Sequence, residues 1–153
     1  MNPDRQYTAL AAAFDQVAPD YDVLYGPQGN LLMRRLRQEN LERLAAAFPP
    51  SSRLLEIGCG TGEEALALAR LGHYVLATDV SPAMALRTAS RAHRAGLADR
   101  VQALALPAGG LAALMPTRPF DGAYASFGAL NCEPELEQFA RTLGRLLPRV
   151  RLL

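Results

Sequence analysis

Nothing constrains this chain more than Leu54-Leu55-Glu56-Ile57-Gly58-Cys59-Gly60-Thr61-Gly62. Leu54 to Ile57 is a short, mainly apolar run that reads as a buried strand. Glycines follow at every second position, 58, 60 and 62. A helix then begins at once. Thr61 and Glu64 have the spacing of a capping box, which makes Thr61 the expected N-cap. Strand, glycine turn and helix N-terminus together form a ligand-binding corner. Glycine admits unusual dihedrals and lets a ligand lie on the main chain. The helix N-terminus adds free N–H groups suited to a carboxylate or phosphate.

The spacing separates two ligand classes. The dinucleotide fingerprint G-x-G-x-x-G would need a third glycine where Glu63 stands, and a carboxylate is a poor neighbour for a pyrophosphate. The string reads instead as acid-x-G-x-G-x-G, with Glu56 as the acid. This nonapeptide resembles the first motif of the class I S-adenosylmethionine (SAM)-dependent methyltransferases. The resemblance implies an α/β fold: a Rossmann-like three-layer sandwich, mostly parallel sheet with helices on both faces. It implies SAM as cofactor and S-adenosylhomocysteine (SAH) as product. Glu56 would order the turn on the methionine amine side, and Gly58, Cys59, Gly60 and Gly62 would carry the backbone beneath the cofactor.

The second strand is expected over Tyr74–Thr78, with Asp79 at its end, 17 residues beyond Gly62. A nucleotide-binding α/β unit places an acid here to accept hydrogen bonds from ribose hydroxyls. Class I methyltransferases use an acid in the same way. Ser81 is an N-cap with Pro82 at the first helical position, and this helix runs to Gly96. The resemblance puts Val80 and Met84 beside the adenine; for Met84, plain helix packing is the other reading. The third strand is Val101–Leu106. Many family members place an acid just after it, to bond the adenine amino group. Here Leu104 to Gly109 contains none, which leaves backbone groups of Ala105 to Ala108 to hold the base.

Residues 119–127 read as the fourth strand, with Asp121 at its entry. Ser126 and Phe127 lie at its carboxyl end, where open α/β sheets bind ligands. They are expected to form the cofactor's other wall and the near edge of the substrate pocket. Asn131, just beyond, either positions a substrate group or initiates a turn. The last helix starts at Pro134, with Leu136, Phe139, Leu143 and Leu147 on one face.

Upstream, residues 8–18 read as a small apolar helix. Phe14-Asp15-x-Val17-Ala18-x-x-Tyr21-Asp22 resembles a helical lid that precedes the first strand in many small-molecule SAM methyltransferases. Tyr21 would then lie close to the methyl donor; alternatively, Phe14 and Tyr21 anchor the segment to the core. A helix capped by Asn30 runs to about Phe48, with Leu32, Leu36 and Leu44 on its apolar face. Its polar side, including Arg34, Arg35, Arg37 and Arg43, reads as solvated, as do Arg87, Arg91, Arg94 and Arg100. His73 is expected in a solvated loop.

The 153 residues make one domain: 1–50 an N-terminal helical lid, 51–153 an α/β core. A fifth strand is expected at 148–153. A class I methyltransferase normally has seven strands, so the core reads as lacking its last strands, and its exposed sheet edge predicts a homo-oligomer. Net charge is +1, with 16 basic residues, all arginine. That balance argues against a nucleic-acid partner, which needs a concentrated basic surface. Cys59 and Cys132 make neither a disulfide framework nor a metal cluster, and the polar N-terminus is no signal peptide. The expected location is cytoplasmic, without a membrane. The expected function is SAM-dependent methyl transfer to a small-molecule acceptor. The alternatives are a SAM/SAH-binding module or truncated fragment without turnover, and an NAD-dependent oxidoreductase. No residue is marked as a general base, so catalytic residues stay unassigned.

Overall fold

A computed structural model describes residues 2–147 and 153. Three helices come first: α1 (Pro3–Val17), α2 (Tyr21–Tyr25) and α3 (Leu31–Ala47). Then come β1 (Arg53–Ile57), α4 (Glu63–Arg70), β2 (Tyr74–Asp79), α5 (Pro82–Arg94), β3 (Val101–Ala105), β4 (Gly122–Ala125) and α6 (Leu136–Leu146). Short 3₁₀ turns at Ala108–Ala113 and Ala129–Cys132 flank β4. The four strands are parallel, in the order β3-β2-β1-β4. Among the described residues this is a four-stranded, all-parallel sheet of Rossmann-like form with helices on both faces.

Alternation along β1 sends neighbouring side chains to opposite faces of the sheet. Leu54 joins a core with Leu44, Phe48, Leu68 and Ala92, from α3, α4 and α5. Leu55 and Ile57 join Leu111, Phe139, Leu143 and Leu146 on the side of α6. Two apolar layers around one sheet give the expected sandwich. The chain winds outward from β1 to β2 and β3, then returns to β4 on the other side of β1. That reversal opens a crevice at the carboxyl ends of β1 and β4, where such sheets take ligands.

Local signals set several boundaries. Asn30 caps α3 by accepting from Met33 N at 2.8 Å, and Ser81 caps α5 by accepting from Met84 N at 3.1 Å. Asp121 pins the entry of β4, accepting from Arg53 N at 2.7 Å. Asn131 lies in the 3₁₀ turn after β4. The first helix starts at Pro3, five residues before the expected position, because Asn2 caps it.

His73 is buried, not solvated. Gly72 donates to Ala69 O and His73 to Leu68 O, the paired bonds of a Schellman ending, which folds His73 back against the end of α4. Residues 148–152 of the expected fifth strand lie outside the described residues. Leu153 donates to Ala123 O (3.1 Å) and accepts from Ala125 N (2.9 Å), on the edge of β4 that β1 leaves free. Among the described residues, no helix is long and apolar enough to cross a membrane.

Candidate functional site

The glycine turn is pinned to β2. Gly58 N and Cys59 N both donate to Thr78 O, at 2.8 and 2.9 Å, and Gly60 N donates to Asp79 Oδ2 at 2.8 Å. Gly58, Gly60 and Gly62 all have positive φ, which disfavours a side chain. Gly58 has a second reason to be glycine: a Cβ there would stand 2.3 Å from Ala129 Cβ. The segment after β4 therefore crosses directly over the turn after β1.

Helix α4 begins at Glu63 with Gly62 as N-cap, and no side chain caps it. The capping-box expectation fails because both of its members are engaged elsewhere. Thr61 Oγ1 donates to Asp22 Oδ1 at 2.5 Å, and Glu64 Oε1 accepts from Arg37 Nη1 at 2.6 Å. Arg37 and Arg91 also depart from the solvated faces expected of them. Arg37 is 6% exposed; besides its ion pair with Glu64 it donates to Tyr25 O, and it stacks over the Phe127 ring at 4.7 Å. Arg91 pairs with Glu63 and donates to Thr61 O and Oγ1.

Above the turn lies a cavity of about 680 Å³, within the usual range for a small-molecule site. It is lined by Tyr21, Gly58, Cys59, Gly60, Asp79, Val80, Met84, Ser126 and Phe127, nine of the residues expected there. Tyr21 stands over the turn: a Cβ on Gly60 would lie 3.5 Å from its ring. The other two expected residues lie beneath the floor. Glu56 is 1% exposed, and Gly62 packs on Thr88. Helix α1 roofs the cavity with Leu10, Phe14 and Val17. Asp15 fastens α1 to the start of α5, accepting from Ser81 Oγ (2.5 Å) and Ala83 N (3.0 Å).

Sequence reading missed Tyr7, Arg37, Glu64 and Glu133, which also line the cavity. The Thr61–Glu64 spacing drew Glu64 into a cap. The contact between Tyr7 and Glu133 joins residues 126 apart, and no local pattern announces it.

The lining is acidic. Glu63, Glu64, Asp79 and Glu133 face it, against the single cation Arg37 among the described lining residues. Burial raises the pKa of Asp79, partly offset by hydrogen bonds from Ser81 N and Gly60 N. Burial likewise raises Glu64, with Arg37 opposing. Glu56 is raised furthest of the three, first by burial and then by the charge of Glu64. Glu56 Oε2 and the Tyr124 hydroxyl are both buried, and Tyr124 stands near enough to Glu56 to offset part of that rise. The Cys59 thiol is also pushed up by burial, which makes it a poor nucleophile.

The raised Glu56 carboxyl has a measurable consequence. Its contribution to stability is fully present below the unfolded pKa and is lost as pH rises through the folded pKa. Glu56→Gln is therefore expected to flatten the decline in Tm as pH rises above the ordinary carboxylate range, and to unfold no earlier than the parent at the upper end. A variant that melts lower than the parent across the whole range would show that Glu56 is held as a carboxylate.

At the cavity mouth, Phe127 has φ 53° and is followed by Gly128 at φ 79°. A bulky residue in the left-handed region is strained. Stacking on Arg37 and the bond from Asn40 Nδ2 to Ser126 Oγ (3.0 Å) hold this bend in place. Backbone strain of this kind gathers at ligand-binding positions.

The family described as a methyltransferase domain matches residues 54–149, from β1 through α6. The chain belongs to this family. It is a class I SAM-dependent methyltransferase domain. A curated relative, tRNA 5-carboxymethoxyuridine methyltransferase of Escherichia coli K12, is 31% identical over 91 residues. That match covers 58% of this chain and 35% of the relative, so the chain spans about a third of its length.

Among solved structures, the [4+2]-cyclase SpnF superposes with a TM-score of 0.75 and 24% identity, over 92% of this chain and 56% of that one. Magnesium protoporphyrin IX methyltransferase from Synechocystis PCC 6803, with bound SAM, gives 0.74 and 21%, over 96% and 74%. Both likenesses show the fold. A SAM-dependent methyltransferase from Geobacter sulfurreducens, in complex with SAH, is 27% identical with a TM-score of 0.57, over 71% of this chain and 43% of that one. Structural neighbours of the methyltransferase domain thus bind SAM or SAH.

Proposed function

We propose that this domain binds SAM in the cavity above the glycine turn and transfers its methyl group to a small-molecule acceptor. The observation that carries the reading is the charge of the lining. Four carboxylates line the strand-to-helix corner: Arg37 pairs with Glu64 and Arg91 with Glu63, and among the described residues no cation pairs with Asp79 or Glu133. A low-dielectric site of that sign favours a cationic ligand and repels a pyrophosphate. The nicotinamide-dependent alternative fits it poorly. A ligand bearing both an ammonium and a sulfonium fits well.

The residues present suit SAM along its length. Arg37 has guanidinium N–H groups beyond those given to Glu64 and Tyr25, and would meet the methionine carboxylate. Glu64 would face the ammonium, and Glu56 would support the turn from below. Both Asp79 oxygens are fixed by backbone N–H groups and keep free lone pairs, which would accept from the ribose hydroxyls. Val80 and Met84 would flank the base.

When bound, SAM supplies the electrophile, a sulfonium methyl. The protein's own part is positioning and exclusion of water. Residues 1–50 would act as a helical lid, with Tyr21 closing the cavity over Gly60. Phe127, held by Arg37, would form the wall beside the acceptor. Leu24, Met33 and Phe127 make the mouth apolar, which suits a small acceptor better than a nucleic-acid strand. No side chain is assigned as a general base.

The test is calorimetric titration of SAH into the chain, with NAD as control. The expected result is a Kd below about 100 µM for SAH, or about −5.5 kcal/mol, and no heat with NAD. Binding of NAD alone would overturn the reading. Binding of SAH without methyl transfer to any supplied acceptor would favour a binding module without turnover. SpnF, a cyclase, shows that the fold does not by itself specify methyl transfer. The E. coli relative acts on tRNA, so labelled methyl incorporation into tRNA is the matched check on the acceptor class.

A further inference from the structure

The mouth of the cavity does not end at a polar rim. Leu24, Tyr25 and Phe127 line the cavity and are each about half exposed, at 54%, 46% and 48%. The same side chains therefore border both the cavity and the solvent. Helix α3 continues this surface outward. Met33 and Arg37 line the cavity from α3, and Asn40 reaches Ser126 at the carboxyl end of β4. Leu36 stands three residues after Met33 and four before Asn40, and Leu32 stands four before Leu36. Residues at these spacings share one helix face. Leu32 and Leu36 are exposed as well, so an apolar row leads from the end of β4 to the start of α3.

Single exposed leucines are ordinary. A contiguous apolar surface joined to a cavity marks a groove for a ligand or a partner. Two observations favour the ligand. Phe127 belongs to neither apolar core, and its ring lies on Arg37 at the mouth. The fold thus keeps a bulky apolar residue at φ 53° with half its surface in water. Strain of this kind is held where a ligand is met. The charges beside the mouth are also committed to each other. Arg37 pairs with Glu64, and Arg35, next to Leu36, pairs with Glu39. Affinity at this lip comes from apolar burial rather than from charge.

We propose that the acceptor carries an uncharged hydrocarbon body of several carbons, which lies along Phe127, Leu24, Leu36 and Leu32 while its nucleophilic atom enters the cavity. The proposal rests on the SAM reading and adds the chemical class of the acceptor. The row runs outward from the mouth, so a longer body covers more of it. Each methylene laid on it leaves water, and full burial of one is worth about a fourfold gain in affinity. A lip open on one side gives less.

The experiment titrates 4-ethyl-, 4-butyl- and 4-hexylphenol into the whole chain saturated with SAH, by calorimetry. Affinity is expected to rise by roughly two- to fourfold per methylene. In the double variant Leu32→Ser with Leu36→Ser, the gain from butyl to hexyl is expected to fall below about 1.5-fold per methylene. Leu71→Ser and Met115→Ser remove exposed apolar side chains that do not line the cavity, and are expected to keep the parental slope. Thermal unfolding checks that each variant is folded. A parent chain that binds the three phenols equally, or binds none of them, overturns the proposal and leaves the SAM reading in place. So does a folded double variant with the parental slope. A parent dimer in sedimentation that the double variant converts to monomer assigns the row to a second copy of the chain. Binding to phosphatidylcholine vesicles that the double variant abolishes assigns it to a lipid surface. Either result overturns the proposal. Failure of the parent chain to bind SAH, before any phenol is added, overturns the SAM reading itself, and this proposal with it.

Discussion

Arg37→Ala is expected to destabilise the domain by about 3–5 kcal/mol, the range for removing one partner of a buried ion pair. The Arg37 and Glu64 side chains are 8% and 4% exposed, and their closest atoms are 2.6 Å apart. Without the guanidinium, Glu64 is left as a buried carboxylate beside Glu56, whose own pKa is already raised by burial and by Glu64. The Tyr25 carbonyl loses its donor as well, which frees α2 at the cavity mouth. Urea unfolding measures the effect. A loss below about 1 kcal/mol, the level of an exposed pair, would mean that solvent reaches Glu64. The double change Arg37→Met with Glu64→Leu is expected to recover most of the stability, since well-packed apolar replacements of a buried pair are often neutral. It is not expected to recover SAH binding. Stability and ligand binding should therefore separate at this position.

Asp79→Asn is expected to weaken SAH binding by about a hundredfold, on the order of 2.7 kcal/mol. The Asp79 carboxylate is held by Gly60 N at 2.8 Å and Ser81 N at 2.9 Å. It thus joins the glycine turn to the start of α5 and still has lone pairs free. An amide in the same place turns an NH2 group either toward one of those backbone donors or toward the ribose. Two donors then face each other, or the ribose loses an acceptor. Calorimetry reads the affinity, and thermal unfolding checks that the variant is folded. A loss of less than about threefold would sink the ribose assignment and leave Asp79 as a brace for the turn.

These two positions differ in how visible they are before folding. Asp79 is legible because its role is local in sequence: a strand must end before a ligand can meet its last side chain, and the spacing from Gly62 fixes where that happens. The same holds for Asn30, Ser81 and Asp121, which act on backbone groups near them in sequence or one strand away. Arg37 carries no such mark. Its helix shows an ordinary run of charges, and only the packing of α3 on α4 decides that this arginine is buried while Arg34 and Arg35 stay in solvent. Thr61 and Glu64 show the reverse error. Their spacing suits a cap, yet Asp22 and Arg37, brought in from α2 and α3, hold them elsewhere.

The sequence alone determined the strand–turn–helix corner, the parallel α/β class and the family. Glycine spacing, apolar periodicity and capping are short-range constraints that any fold of this chain must obey. Only the tertiary structure decided the charge of the cavity, the burial of Arg37 and His73, and the meeting of Tyr7 and Glu133. These depend on how elements distant in sequence are packed. A side chain's solvation, and with it its chemistry, is set by neighbours that the local pattern does not name.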